Sequence, residues 1–441
     1  MYVVGAGWIG TAAMLGDSHL VLWLCAILLF FIPLAAVVVW LNRVRPLEGG
    51  LYQWAHAAFG PAVGFLAAWN LWAYTVVVMS EFGIIIATTL SYLAGPGWKP
   101  VTDSAWYVPA VSVLMVLMLI TVTALGLRIG KWLHGFGGVA NLIAFAAVIG
   151  VPFVALAWGR LGSYHPLVLA APAMSLMSVN IFTKMAMGAF SGFEYVAILA
   201  GECRDPARSI ARATWIATPV IGFMFIFGTS SVLALVPGNQ IDLISPIPQV
   251  LRVGLGGASI AGVAATILIG VLLARYIANV CFIFAGNTRL PMVAGWQGQV
   301  PGWFGRVSGR LRSPVNSILF VAAIVLALAL ASTAGVGRQE AFQLLNNASG
   351  ILYALAYLAM FAIPVLGRRE LRGRIPLWVR SAALSGFVVT LLYVLFALLP
   401  IVEVRSATHF AAKIVATVLV INLTGVGVYW AGRARGRVDP R

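Results

Sequence analysis

The chain has 441 residues, of which 61% are hydrophobic and only 9% are charged, against about 25% charged residues in an ordinary soluble domain. A soluble protein of this size needs a polar surface that these residues cannot supply, so the composition predicts an integral membrane protein, and its long apolar segments, described next, predict the all-α class. The excess of 28 Lys and Arg over 12 Asp and Glu does not indicate nucleic-acid binding, because the basic residues form short clusters between long apolar runs. The cysteines and histidines show no metal-ligand spacing, so neither a metal site nor a disulfide framework is predicted.

A helix of about 20 apolar residues crosses a bilayer, and the chain contains about twelve such segments. In chain order the predicted spans are 2–16, 19–41, 61–94, 104–126, 132–158, 175–200, 210–236, 258–285, 314–333, 341–366, 377–402 and 408–431. No soluble domain fits between them. The whole chain, 1–441, is therefore predicted to be one transmembrane domain with a basic tail at 432–441.

The basic residues predict the orientation in the membrane. Twenty of the 28 Lys and Arg lie in the loops after spans two, four, six, eight and ten and in the tail. Because short cytoplasmic loops carry an excess of Lys and Arg, we expect both termini in the cytoplasm and an even number of spans. The prediction is a multi-pass protein of the cell (inner) membrane.

The first span is short, because only about 15 residues precede Asp17, roughly 22 Å of helix at 1.5 Å per residue. It has neither the basic leader nor the small-residue cleavage site of a signal peptide. We expect a first helix that lacks part of its cytoplasmic half, with the true translation start upstream. Mass spectrometry that found Met1 at the terminus of the native protein would contradict this expectation.

Two spans contain residues that interrupt helices. The first holds Gly5, Gly7 and Gly10, and the sixth holds the run from Gly188 to Glu194, with small residues and a carboxylate. Glycine destabilises a helix interior by about 1 kcal/mol relative to alanine, so such clusters mark places where a helix can break. In transporters, broken helices expose N–H and C=O groups that bind ions and the charged ends of substrates. Because the two spans are five apart, we predict inverted repeats in residues 1–158 (helices 1–5) and 175–366 (helices 6–10), followed by helices 11 and 12 in residues 377–431.

The glycines of the first span have two other interpretations. Gly5-x-Gly7-x-x-Gly10 matches the dinucleotide-binding fingerprint, but that motif requires a preceding strand and a βαβ unit, which a membrane span does not provide. Close helix packing is the second interpretation, and it also explains Gly60-x-x-x-Gly64.

Several segments resemble the amino acid–polyamine–organocation (APC) transporters. They are Gly5-Ala6-Gly7-Trp8, Pro46-Leu47-Glu48-Gly49-Gly50-Leu51-Tyr52-Gln53-Trp54 with Gly60-Pro61, Phe190-Ser191-Gly192-Phe193-Glu194 with Glu202 and Asp205-Pro206, and Arg289 through Gly298 with Pro301 and Phe304. The resemblance runs along nearly the whole chain. It implies a secondary transporter with the five-plus-five inverted-repeat fold, broken helices 1 and 6, and an amino acid or related amine as its substrate.

The same resemblance implies substrate-binding residues in the two helix breaks. These are Gly5, Ala6, Gly7 and Trp8 in the first break, and Phe190, Ser191 and Gly192 in the second. In the family, backbone groups of the first break hold the substrate carboxylate, whereas the second break holds the amino group and lines the side-chain pocket. Helix-end electrostatics agree, since helix N-termini favour anions and exposed carbonyl groups favour ammonium groups.

Three positions depart from the family pattern. Ala6 lacks the hydroxyl group of the common serine, and Trp8 is bulkier than the usual aliphatic residue, which predicts a smaller pocket. Asn141 stands where many members carry a helix-five lysine that replaces a sodium ion. That coupling device is therefore not expected in this chain.

Five ionisable residues lie inside predicted spans: Glu81, Lys184, Glu194, Arg275 and Lys413. Such groups cost at least about 2.5 kcal/mol in a membrane and are functional candidates. Glu194, which follows the helix-six break, is a candidate proton-coupling group or a fixed acceptor for the broken helix. Lys184 could replace the missing helix-five lysine, contact an acidic substrate or form an ion pair with Glu81. Arg275 could belong to an inner gate or a structural pair, and Lys413 can extend to the membrane surface.

Aromatic residues of span three, Trp69, Trp72 and Tyr74, could line a pocket or pack within the bundle. The Asn-x-Ser/Thr triplets at Asn347 and Asn422 fall within predicted spans, so we do not expect glycosylation there.

These observations predict a permease, not an enzyme, that moves an amino acid or small amine by alternating access between the two breaks. A proton or other ion gradient would drive it without a cofactor, and its partners would be the small-molecule substrate and the lipid bilayer. One alternative is an exchanger of amino acids or polyamines with the same fold. A polytopic membrane enzyme or a transport-inactive sensor is a further alternative, although no clustered acid and base residues indicate an enzyme. The sequence leaves the substrate, the coupling ion and the oligomeric state open.

Overall fold

A computed structural model describes residues 7–44, 50–125, 130–192, 206–256, 260–289, 303–308, 313–367 and 375–434. Every regular element within these ranges is helical. Ten helices among them are long and apolar enough to cross a membrane. The predicted class, an all-α polytopic membrane protein, is confirmed.

The helices are numbered here in chain order. They are α1 (Trp8–Ala13), α2 (His19–Ala26), α3 (Ile32–Val44), α4 (Leu51–Phe59), α5 (Pro61–Ala94), α6 (Lys99–Thr102), α7 (Tyr107–Leu125), α8 (Gly130–Ala157), α9 (Leu176–Phe190), α10 (Pro206–Leu235), α11 (Pro246–Leu255), α12 (Ile260–Asn287), α13 (Val315–Thr333), α14 (Arg338–Leu366), α15 (Leu377–Phe396) and α16 (Ala407–Ala434). A π-helical turn, Ile27–Phe31, joins α2 to α3, so that Gly16–Val44 forms one span.

The ten long spans coincide with predicted spans two to five and seven to twelve, and the predicted count of twelve is not confirmed. The two remaining predicted spans are those in which a break was expected. Six residues of the first are described as helix in α1, and fifteen of the sixth in α9. Helix α9 stops at Phe190, whereas the predicted span ran to residue 200, and residues 193–205 lie outside the described part of the chain.

Glycine and proline residues set where α5, the longest of these helices, begins and ends. Gly60 has φ 94°, a conformation that favours glycine, and Pro61 follows at the first helical position, where its missing N–H costs nothing. Gly95, with φ 81°, ends the helix 34 residues later. The chain therefore crosses the membrane here as one uninterrupted helix.

Helix α5 occupies the centre of the bundle and α16 its periphery. In the most apolar window of α5, 67% of the residues are buried, against 11% in that of α16. The two helices are joined by Trp69 Nε1, which donates to the carbonyl oxygen of Ile421 at 2.8 Å, and by paired amides of Asn70 and Asn422 at 2.8 and 3.2 Å. Trp69 therefore packs at a helix interface, which is the second of the two alternatives given for it.

Candidate functional site

In the sixth predicted span the helix ends where Ser191 and Gly192 follow it. Helix α9 begins at an N-cap, Ser175, whose hydroxyl oxygen accepts the backbone N–H of Ser178 at 3.1 Å. It ends at Phe190, after which Ser191 is extended, with φ −70° and ψ 163°. Gly192 has φ 102°, which a residue with a side chain rarely adopts. Helix α9 therefore ends inside the predicted sixth span, at the residues where the break was expected.

A tyrosine of α14 accepts the backbone N–H that would form the next hydrogen bond of α9 if the helix continued. In a continuous helix the N–H of Gly192 would donate to the carbonyl of Gly188, but it donates to Tyr357 Oη at 2.9 Å. Tyr357 is fully buried and donates to Tyr353 Oη at 3.4 Å, and the Tyr353 ring stacks on Tyr74 of α5 with centroids 4.2 Å apart. The carbonyl of Gly188 has therefore lost its helical donor.

The first helix meets α9 at the same place. Helix α1 begins at Trp8, directly after Gly7, and the Trp8 ring lies so close to Gly188 that a Cβ atom there would overlap it. Gly188 is thus required by the neighbouring indole. The bulky residue at position 8 occupies space between the first and sixth helices, as its size suggested. Gly5 and Ala6, the other residues predicted for this break, lie outside the described residues.

The segment before α11 covers α1. A Cβ atom at Gly7 would lie 3.8 Å from the carbonyl oxygen of Leu243, and one at Gly10 would lie 3.0 Å from Pro246. Asp242 holds this segment, because its carboxylate accepts the backbone N–H of Ile244 at 2.9 Å and the hydroxyl of Tyr92 at 3.0 Å. The glycines of the first span therefore also permit close packing.

The Phe190 side chain belongs to an aromatic core. Its ring stacks on Phe31 at 4.7 Å and meets Trp23 edge-on at 5.5 Å between centroids. Trp23 stacks on Phe225 of α10 at 4.8 Å and donates from Nε1 to Thr229 at 3.0 Å. Phe190 is 2% exposed, so its side chain is buried among these aromatic rings in this conformation.

Two of the predicted intramembrane charges contact the same turn of α14. Glu81 of α5 accepts the hydroxyl of Ser349 at 2.6 Å and the amide N–H of Asn346 at 3.2 Å. Lys184 of α9 donates to Asn347 Oδ1 at 2.6 Å. Both charged side chains are at least nine-tenths buried.

The expected ion pair between Lys184 and Glu81 is wrong for this conformation. Within the described ranges the ion pair found is Arg338–Asp103, at 3.3 Å, near the end of the bundle. Each of the two buried side chains instead forms hydrogen bonds with neutral groups of α14, Glu81 from α5 and Lys184 from α9. Asn347, set aside with its glycosylation triplet, is therefore part of the buried polar cluster.

The remaining predicted charges are not gathered at this place. Arg275 is buried in α12, with its guanidinium carbon 5.3 Å from the centroid of the Tyr276 ring. Lys413 is exposed on α16, as expected for a side chain that extends outward. Glu194 lies outside the described residues. Across the described residues, no group of three His, Cys, Asp or Glu could hold a metal ion.

The sequence reasoning missed the contribution of α14. Four of its polar positions, Asn346, Ser349, Tyr353 and Tyr357, recur at three- and four-residue spacing, and Asn347 adjoins the first of them. That periodicity places them along one side of a helix. It is the signal by which they could have been found.

Comparisons with known proteins agree with this architecture. Residues 2–423 match the family described as amino acid permease. An uncharacterized transporter of Legionella pneumophila is 24% identical over 80% of this chain and 75% of its own length. A protein described as a probable agmatine/putrescine antiporter, from Lactococcus lactis, is 20% identical over 79% of this chain and 73% of its own. The Asc-type amino acid transporter 1 of Mus musculus is 22% identical over 88% and 69%.

A solved structure shows the same fold. The crystal structure of MhsT in complex with L-phenylalanine superposes with a TM-score of 0.56, at 13% identity, over 90% of this chain and 94% of that one. The protein is thus a multi-pass membrane protein of a transporter fold, and the family match extends over nearly all of its residues. The chain belongs to the amino acid permease family.

Proposed function

We propose that this permease is a secondary active transporter that carries an amino acid or related amine by alternating access, with its substrate between the first and sixth helices. The observation that carries the proposal is the open end of α9, where Gly192 N–H donates to Tyr357 and leaves the carbonyl of Gly188 without its helical donor. Carbonyl groups at the C-terminal end of a helix attract ammonium groups. Trp8 brings the first helix to this point.

In this proposal the substrate carboxylate binds to the backbone of Gly5, Ala6 and Gly7, and its amino group binds at Ser191 and the neighbouring carbonyl groups. A zwitterion matches two helix breaks of opposite polarity. Family membership supports the assignment, as does the name of the mouse relative, an amino acid transporter.

For coupling, we propose a proton gradient with Glu194 as the titrating carboxylate and no bound cofactor. Glu81, Lys184 and Arg275 are the buried charges through which helix movements would respond to it. Their buried positions inside the membrane support this role, because charged groups there are costly and mark functional sites.

Exchange is the second candidate, favoured by the relative described as an agmatine/putrescine antiporter. An exchanger would use the same two breaks and would need no titrating group. Both mechanisms fit the basic loops, from which we propose cytoplasmic termini, and both fit inverted repeats at residues 1–158 and 175–366.

A reconstitution experiment tests the proposal. Purified protein is first screened by thermal unfolding against all amino acids and common polyamines, because a ligand stabilises the state that it binds. Hits are then measured as uptake into proteoliposomes, with an imposed pH gradient or with internal substrate. Gly7→Leu should abolish both stabilisation and uptake.

Uptake driven by the pH gradient alone supports proton coupling, and uptake that requires internal substrate supports exchange. Failure of every amino acid and amine to stabilise the protein and to be transported would contradict the substrate class. Stabilisation that survives Gly7→Leu would show that the site lies elsewhere.

A further inference from the structure

Lys184 is an ammonium group with too few acceptors. It lies in the middle of α9 and is 1% exposed. An ammonium group has three N–H donors, and in the part of the chain that the structure describes its hydrogen-bond acceptor is Asn347 Oδ1, at 2.6 Å. Burial of an ammonium group is strongly unfavourable unless an opposite charge or several hydrogen bonds replace its water.

The Asn347 amide nitrogen is another donor without an acceptor, next to the Lys184 ammonium group. Because its Oδ1 faces the Lys184 ammonium group, its amide nitrogen must point away from that bond. Asn347 is 0% exposed, and its Nδ2 has no hydrogen-bond partner among the described residues. Lys184 and Asn347 together therefore present N–H groups that lack acceptors.

The buried carboxylate that contacts the same turn of α14, Glu81 of α5, does not pair with Lys184. Its two oxygens accept hydrogen bonds from neutral groups, from Ser349 at 2.6 Å and from Asn346 at 3.2 Å. Lys184 therefore has a neutral amide as its partner and no anion among the described residues.

We propose that Lys184 and Asn347 form a binding site for one small monovalent anion, either a halide or a carboxylate. The anion would accept hydrogen bonds from the Lys184 ammonium group and the Asn347 amide, and would neutralise the buried charge. Lys184 lies one helical turn before Gly188, about 6 Å along α9. The anion site is therefore adjacent to the opened end of this helix and distinct from it.

A water molecule is the competing occupant. Gln343, one turn before Asn347 on α14, is also buried, and its Oε1 has no partner. Water bridging Gln343 Oε1 and Asn347 Nδ2 would satisfy both atoms without any anion. The two occupants differ in one measurable respect, which is a response to anion concentration.

The test is thermal unfolding of the purified full-length protein. The sodium salt of chloride, bromide or acetate is added in increasing concentration, and sodium methanesulfonate, whose anion is bulkier, makes up the rest so that the ionic strength stays constant. The wild type should show a rise in Tm that saturates with anion concentration. Lys184→Met removes the ammonium group, and Asn347→Asp builds a carboxylate into the site. Each should abolish the rise or increase the half-saturating concentration about tenfold or more, whereas Lys413→Met, at an exposed lysine, should leave it unchanged.

The pattern of responding anions identifies the source. A response to the halides assigns an inorganic anion, and a response to acetate alone assigns the carboxylate of a solute. No saturable response to any of the three in the wild type, or an unchanged response in Lys184→Met, would overturn the proposal. If Lys184→Met fails to fold, Asn347→Asp decides, because it keeps the side-chain volume and gives Lys184 a partner. Transport of an amino acid is measured separately, so that either proposal can fail alone.

Discussion

Replacing Tyr357 with phenylalanine removes one oxygen from the centre of the bundle and should close the end of α9. The N–H of Gly192 would lose its acceptor at 2.9 Å. A buried donor without a partner costs about 1–3 kcal/mol, and Gly192 can avoid this cost by donating to the carbonyl of Gly188, one turn back. That carbonyl is the group proposed to attract the substrate's ammonium. The same 1–3 kcal/mol, applied to substrate binding, corresponds to about a 5- to 150-fold weaker apparent affinity.

The assay is uptake of the identified substrate into proteoliposomes over a range of concentrations, with Tyr353→Phe as the matched control. Tyr353 lies one turn away on α14 and accepts a hydrogen bond of 3.4 Å from Tyr357, and its hydroxyl group is not the acceptor of the Gly192 N–H. We expect a raised KM in Tyr357→Phe and a much smaller change in Tyr353→Phe. Wild-type KM in Tyr357→Phe, or equal losses in both variants, would refute a role of this hydroxyl group in keeping helix six open.

Three further predictions concern positions around the site. Gly188→Ala should lower stability by about 1–3 kcal/mol, because the added methyl group overlaps Trp8, and Trp8→Leu should restore the Tm; no recovery in the double variant would show that the two do not interact. Asp242→Ala should lower stability by about 2–4 kcal/mol through the loss of three hydrogen bonds, whereas an unchanged Tm would mean that the segment before α11 is held otherwise. Glu194→Gln should abolish accumulation driven by a pH gradient and leave exchange intact, and persistent proton-driven uptake would exclude it as the coupling group.

The fold was predictable because lipid imposes a simple rule. A backbone in hydrocarbon must satisfy its own hydrogen bonds, so that apolar runs of sufficient length become helices. The ten long spans coincide with ten predicted ones. The end of α9 at Phe190 was predictable for a related reason, because Gly192 and the small residues around it disfavour continuation of the helix.

The partners of the intramembrane charges were not predictable in the same way. Helical periodicity describes one helix at a time, and the contacts of Lys184 and Glu81 depend on how α5, α9 and α14 pack together. Opposite charges suggested a direct pair. In the structure, Lys184 and Glu81 each form hydrogen bonds with different neutral groups of α14, which are amides and one hydroxyl group.

This arrangement also has consequences for movement between helices. A buried ion pair between α5 and α9 would hold these helices together strongly, since separating such a pair leaves each charge exposed to a medium of low polarity. Neutral dipoles on α14 bind each charge more weakly, and the same helix also holds Gly192 through Tyr357. Helix six is therefore attached to α14 at two levels, at Lys184 and at Gly192, while α5 is attached separately through Glu81. Relative motion of helices three and six therefore acts on the contacts that each makes with α14, at Lys184 and Gly192 for helix six and at Glu81 and Tyr74 for helix three.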